Sequence, residues 1–174
     1  FIDDINASNK GYGGIRSIAR HPKVDHVLCA GDDQVPRLYQ IFRQKTRDLP
    51  NTDFNLIRAF ERQAGPVNAV AFSPDGTRIV VAGASGEAHV YNVEDGKLVA
   101  TLKGDSVATF TVAFHPDGQP IAMGGFDGQV RIFNATSGEL IKAFVPVPLS
   151  PEMASSKSDD EFTGTSNLGN FGGK

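Results

Sequence analysis

At positions 69–76 the chain reads AVAFSPDG, and at 111–118 it reads TVAFHPDG. A near-identical octet spelled twice points to a structural repeat, and a repeat decides a fold before any single residue does. Aligned on the dipeptide ending in proline, a weaker third copy stands at 17–24 as SIARHPKV. The anchors are His21-Pro22, Ser73-Pro74 and His115-Pro116, separated by 52 and 42 residues. RQKTRDLPNTD (43–53) accounts for the longer interval: it is polar, holds a proline and breaks the apolar alternation.

The second copy reads as four short strands. Val67 to Phe72 is the first, with Val67, Ala69 and Ala71 expected on one face and Asn68, Val70 and Phe72 on the other. Ser73-Pro74-Asp75-Gly76 is a turn: proline presets φ, aspartate bonds the backbone ahead of it, and glycine accepts positive φ. Ile79 to Ala82 is an apolar central strand, Ala88 to Tyr91 a third, and Leu98 to Leu102 a fourth. The third copy repeats this with Phe110–Phe114, Ile121–Met123, Gln129–Phe133 and Leu140–Phe144. The first copy offers Ile15–Ala19, Val27–Ala30, Arg37–Ile41 and Leu56–Phe60, with Pro36 demoting the third strand's start or placing a bulge there. Phe1 to Ile5 sits where a preceding unit would end.

These units resemble WD40 repeats, the four-stranded blades of β-propellers, in the bacterial AFSPDG spelling. VNAVAFSPDG (67–76), GASGEAHVYNVEDG (83–96) and GGFDGQVRIFNATSG (124–138) carry the resemblance, and the 42-residue spacing fits the roughly 40–45-residue blade period. The resemblance implies an all-β chain of three blades. Residues 1–9 are expected to end a preceding blade, with repeats at 10–62, 63–104 and 105–145 and a Ser/Gly-rich tail at 146–174. Closed propellers need about four to eight blades, so further blades are expected upstream and the chain is read as the C-terminal part of a larger protein. FIDDINASNK, which has no initiator Met and no apolar signal core, fits that expectation.

A full WD40 repeat often carries a buried Asp–His–Ser–Trp network. Here the His position holds Gln63 and Asp105, the Ser position Cys29, Val81 and Met123, and the Trp position Tyr39, Tyr91 and Phe133. Twelve Phe and no Trp agree with this substitution. Cohesion is therefore expected to rest on apolar burial and strand ladders. Asp33 and Asp127 are expected to form turns.

The chemistry search is negative. A single cysteine, Cys29, excludes an internal disulfide and thiolate zinc sites. No nucleophile elbow, zinc-protease motif or phosphate loop occurs. His21 and His115 read as turn residues, His26 and His89 as isolated strand residues. Asp3-Asp4, Asp32-Asp33 and Asp159-Asp160-Glu161 read as solvated carboxylates. A net charge of −3 supplies no electrostatic reason to bind nucleic acid or an anionic membrane, and no apolar run is long enough to span a bilayer.

Function is thus expected of a surface. The resemblance places the loops before the first strand and between the second and third on one face, with Arg16, Asp32, Arg62, Gln63, Asn68, Phe110 and Phe126 as contact residues. Phe126 is either an exposed anchor or packs on a neighbouring blade or the tail. The expected role is a non-catalytic scaffold without cofactor, binding a protein, a peptide or other domains of its own chain. The alternative is the propeller portion of a large bacterial enzyme or haem c-containing redox protein with its active domain elsewhere. The resemblance slightly favours an extracytoplasmic setting.

Overall fold

The structure, a computed structural model, describes residues 13–42, 55–104 and 107–146. The expectations for residues 1–9, for the 43–53 insertion and for the tail from 147 onward lie outside the described residues, as do Asp105 and the two acidic clusters at 3–4 and 159–161.

Among the described residues, twelve strands form three sheets of four, each antiparallel and each ordered as in the sequence. Blade 1 holds β1 (Ile15–Arg20), β2 (His26–Gly31), β3 (Arg37–Gln40) and β4 (Leu56–Ala59). Blade 2 holds β5 (Val67–Phe72), β6 (Arg78–Gly83), β7 (Glu87–Asn92) and β8 (Leu98–Lys103). Blade 3 holds β9 (Thr109–Phe114), β10 (Pro120–Gly125), β11 (Val130–Asn134) and β12 (Leu140–Phe144). The first strands β1, β5 and β9 are neighbours, so the blades meet along their inner edges.

The recurring octet ends in the turn that its residues specify. Ser73 is fully buried, and its hydroxyl lies 2.5 Å from Asp75 Oδ1 and 2.9 Å from the Arg78 amide that donates to it. Asp75 also accepts from the Thr77 amide at 3.0 Å and the Thr77 hydroxyl at 2.7 Å. Gly76 closes the turn at φ 79°. A Cβ there would run into the ring of His21, whose Nδ1 accepts from the Lys23 and Val24 amides while Nε2–H donates to the Gly76 carbonyl at 3.1 Å. The turn thus ties blade 2 to blade 1, a role beyond the turn-forming one expected of His21. His26 is not isolated either, since its ring lies 5.9 Å from that of His21. The later turns are capped by the residue after each blade aromatic: Asn92 Oδ1 accepts from the Glu94 amide and Asn134 Oδ1 from the Thr136 amide, both at 2.8 Å.

The Ser73 hydroxyl, and then the Thr77 amide, hold the Asp75 carboxyl down at about 2. A carboxyl lowered by folding stabilises the native state above its unfolded pKa of about 3.9, and that contribution is lost as pH falls through the folded value. Asp75→Asn should therefore melt below the parent at pH 6, with the gap closing as pH approaches 2. An equal gap at both pH values, measured by circular dichroism melts, would show that the carboxylate is not what stabilises the turn.

One expectation about side-chain direction fails. In β5 the register runs Val67↔Gly83 and then Ala69↔Ala82, leaving Asn68 without an opposite residue. This is a β-bulge, and it turns Val67 to the face opposite Ala69 and Ala71. Val67 joins Val70 against blade 1, whereas Ala71 packs toward blade 3. Strict alternation does not survive one extra residue. The same bulge occurs at Arg16 in β1 and at Phe110 in β9. Opposite the blade 2 bulge, Gly83 is required, because a Cβ there would strike the Pro66 carbonyl.

Candidate contact face

The three bulged residues, Arg16, Asn68 and Phe110, hold one position in three blades, and all three were expected at the contact face. They sit in the first strands rather than in the loops before them. A bulge re-aims the side chain it carries, and here it brings neighbouring blades into contact. The Arg16 guanidinium donates through Nη1 to Asn68 Oδ1 at 2.9 Å, and Asn68 Nδ2 donates to the Thr109 carbonyl at 3.0 Å. Asn68 therefore spends both ends of its amide linking β1, β5 and β9.

The residues that follow the second strands form a second equivalent set. The amides of Asp32, Ala84 and Phe126 donate to the carbonyls of Gly14, Pro66 and Ala108 at 3.0, 2.9 and 3.0 Å. In blade 1 this place carries Asp32, which pairs with Arg16 Nε and accepts from the Gly14 amide at 3.0 Å. In blade 3 it carries Phe126. Its ring lies 6.2 Å from that of Phe110, tilted by 55°, within the range of attractive aromatic pairs. Phe126 is 78% exposed and Phe110 54%. Among the described residues Phe126 therefore packs on its own blade's Phe110 and not into a neighbouring core. The face runs from an ion pair on blade 1, through an amide on blade 2, to two open aromatic rings on blade 3.

Arg62 is exposed and reaches the Gln34 side chain at 3.2 Å. Gln34 takes φ 68° where blades 2 and 3 have Gly86 and Gly128. Gln63 lies elsewhere. It is 8% exposed, and its Nε2 donates to the Glu61 carbonyl at 2.7 Å and to the Tyr91 hydroxyl at 2.9 Å. Because a carbonyl fixes that end as the donor, Oε1 is the acceptor, and the His89 Nδ1 at 2.7 Å carries the proton. Burial raises the Tyr91 hydroxyl's pKa, against the lowering effect of its Gln63 bond.

This overturns the expectation that cohesion rests on apolar burial and strand ladders alone. Blade 2 has a buried Gln63–Tyr91–His89 network in which glutamine and tyrosine occupy the usual His and Trp places. Blades 1 and 3 carry ion pairs instead, Asp33 with Arg37 and Asp127 with Arg131. The second spans 2.6 Å with the Arg131 side chain 6% exposed. Asp33 and Asp127 also accept from the Val35 and Gln129 amides. The Arg131 bond, with the Gln129 amide, holds the Asp127 carboxyl below its ordinary range. The signal in the sequence was the aspartate–arginine spacing repeated at 33/37 and 127/131, replaced in blade 2 by Ser85 and His89. Among the described residues, no group of three or more His, Cys, Asp or Glu is placed to hold a metal ion.

Two family profiles match this chain. One, described as the WD40 domain of anaphase-promoting complex subunit 4, covers residues 40–111, and the other, the WD domain, G-beta repeat, covers 96–134. Together they span more than half of the 174 residues, across the sheets described above. The chain belongs to the WD40-repeat family. WD40 repeats generally mediate protein–protein interaction, and WD40 domains are typically non-catalytic. Within a WD40 blade, Tyr91-Asn92 and Phe133-Asn134 replace the signature dipeptide: the rings are buried in the core and the asparagines cap the next turn. No curated protein matches the chain.

Proposed function

We infer that this chain is a non-catalytic WD40 scaffold that binds a protein or peptide through the face bearing Arg16, Asp32, Arg62, Asn68, Phe110 and Phe126, without a cofactor. Gln63 is left out of that surface because its amide is spent inside the blade. The observation that carries the reading is Phe126 standing 78% exposed beside a half-exposed Phe110. A face that combines open aromatic rings with arginine and amide groups has the composition of interface hot spots. The Arg16–Asn68–Thr109 links support the reading further, since they hold the face rigid before a partner arrives and so lower the ordering cost of binding.

The test uses a photo-reactive phenylalanine analogue at position 126, with the same analogue at 115, in the turn at the opposite end of β9, as control. A cross-linked partner at 126, absent at 115 and lost on Phe110→Ala, is the expected result. Against that partner, Phe126→Ala should weaken binding by about tenfold or more. Equal capture at both ends, or indifference to Phe110→Ala, would remove the aromatic pair from the argument.

A further inference from the structure

We propose that His21 and His26 form an acid-sensitive latch between blades 1 and 2, closed at neutral pH and released in mildly acidic solution. The bonds of His21 admit one state of its ring. Nδ1 accepts from the Lys23 and Val24 amides at 3.1 and 3.2 Å. The proton is therefore on Nε2, which donates to the Gly76 carbonyl of blade 2 at 3.1 Å. A second proton has only Nδ1 to bind, where it meets two amide hydrogens. Protonation thus removes both bonds that hold the ring over the blade 2 turn. The ring is packed there as well, 5.0 Å from the Phe72 ring at an angle of 65°, and Phe72 borders the core that blades 1 and 2 share.

The chain has four histidines, and the other two show what the latch lacks. At His115, the same position in blade 3, a proton on Nδ1 finds the Asp117 carboxylate at 3.0 Å. At His89 the Nδ1–H donates to Gln63, and Nε2 faces the Glu87 carboxylate at 3.9 Å. His21 has instead the ring of His26, 5.9 Å away. Burial, and then the His21 ring, lower the His26 pKa, against a smaller raising effect of Asp25. Asp25 is itself paired with Arg20 at 3.4 Å. Lys23 puts a further positive charge in the same turn. From blade 2, the Asp75 carboxylate is taken up by Ser73 and Thr77, and Arg78 reaches away to the Gly118 carbonyl and the Thr136 hydroxyl of blade 3.

A histidine whose pKa is lowered by folding binds fewer protons in the native state than in the unfolded one. Its contribution to stability is present above the unfolded value, about 6.5, and is lost as pH falls through the folded one. The release is confined to one end of the blade junction. His21 follows the last residue of β1, whereas the Arg16–Asn68 and Asn68–Thr109 links near its start contain no imidazole. The latch therefore needs no partner on the contact face.

Urea unfolding at about pH 7.5 and about pH 5.5 tests the latch across the range in which histidine titrates. The midpoint of the parent should fall by about 0.5 M between the two, the equivalent of about one hydrogen bond at the usual urea slope. The double variant His21→Asn/His26→Asn keeps a side-chain acceptor in the turn and lacks both imidazoles. It should lose most of that fall, and His115→Asn should keep it. Nitrogen-15 NMR of the parent gives a second reading that needs no variant. The His21 ring should show the Nε2–H tautomer at about pH 7.5, and the Lys23 and Val24 amide signals should move with the ring signals on acidification, while those of Ala84 and Phe126 stay in place. An unchanged parent midpoint, a fall that persists in the double variant or vanishes in His115→Asn, or a His21 ring that titrates without moving those two amides would overturn the proposal.

Discussion

Leu102→Ala should destabilise the protein by about 2–5 kcal/mol, the range for removing a large aliphatic side chain from a closed core. Leu102 lies on β8, the last strand of its blade, where solvent exposure would be the default. It is nonetheless fully buried, in a cluster that includes Val90 of blade 2 and Ile121 and Phe133 of blade 3. The truncation leaves a void between two sheets whose ladders hold them in place, so the site cannot collapse cheaply. Leu98, on the same strand, is 48% exposed, and Leu98→Ala should change stability by about 0.5 kcal/mol or less. Urea unfolding separates the two: the Leu102 variant should shift its midpoint at an unchanged slope. A reduced slope would mean that blade 3 now unfolds apart from its neighbours, as weakened interfaces allow in repeat proteins. Similar costs for the two leucines would show that the blade 2–blade 3 contact is not a core.

The strands were legible because their turns are. Proline, aspartate and glycine in a recurring octet mark where a strand ends, and the spacing of the anchors marks where the next unit begins. The twelve strands expected within the described residues all occur, with ends within one or two residues. The bulge was not legible. It takes no side chain of its own kind, and Arg16, Asn68 and Phe110 share nothing but their place. The sign it leaves is a glycine at the end of the partner strand, such as Gly83, which a tight turn would explain equally well. The residues of the candidate contact face could be named one by one from the sequence, but not their arrangement as a surface. Phe126 and Phe110 each stood out, but the ring pair joins residues on two strands and depends on the bulge to aim one of them. Gln63 was misplaced for a plainer reason. A polar residue beside Arg62 and Glu61 looks solvated, and the groups that bury it, His89 and Tyr91, come from 26 and 28 residues away.

Gln63→Ala should accordingly cost stability rather than binding. It strips the Tyr91 hydroxyl and the His89 Nδ1–H of a partner at once, and each buried polar group left unpaired costs about 1–3 kcal/mol. A total of about 2–4 kcal/mol is expected, since His89 is part-exposed and can recruit water. Gln63→Leu, which keeps most of the volume, should recover little of that loss, because the deficit is in hydrogen bonds and not in packing. Tyr91→Phe removes one partner and leaves Gln63 Nε2 its bond to the Glu61 carbonyl, so about 1 kcal/mol is expected. The double variant should cost less than the sum of the two, with a coupling of about 0.5 kcal/mol or more, as for residues that share a network. Below its lowered melting temperature, the Gln63 variant should still be captured through position 126 as well as the parent is. A variant with parental stability and weakened capture would return Gln63 to the contact face and take the buried network out of the account of how this blade holds together.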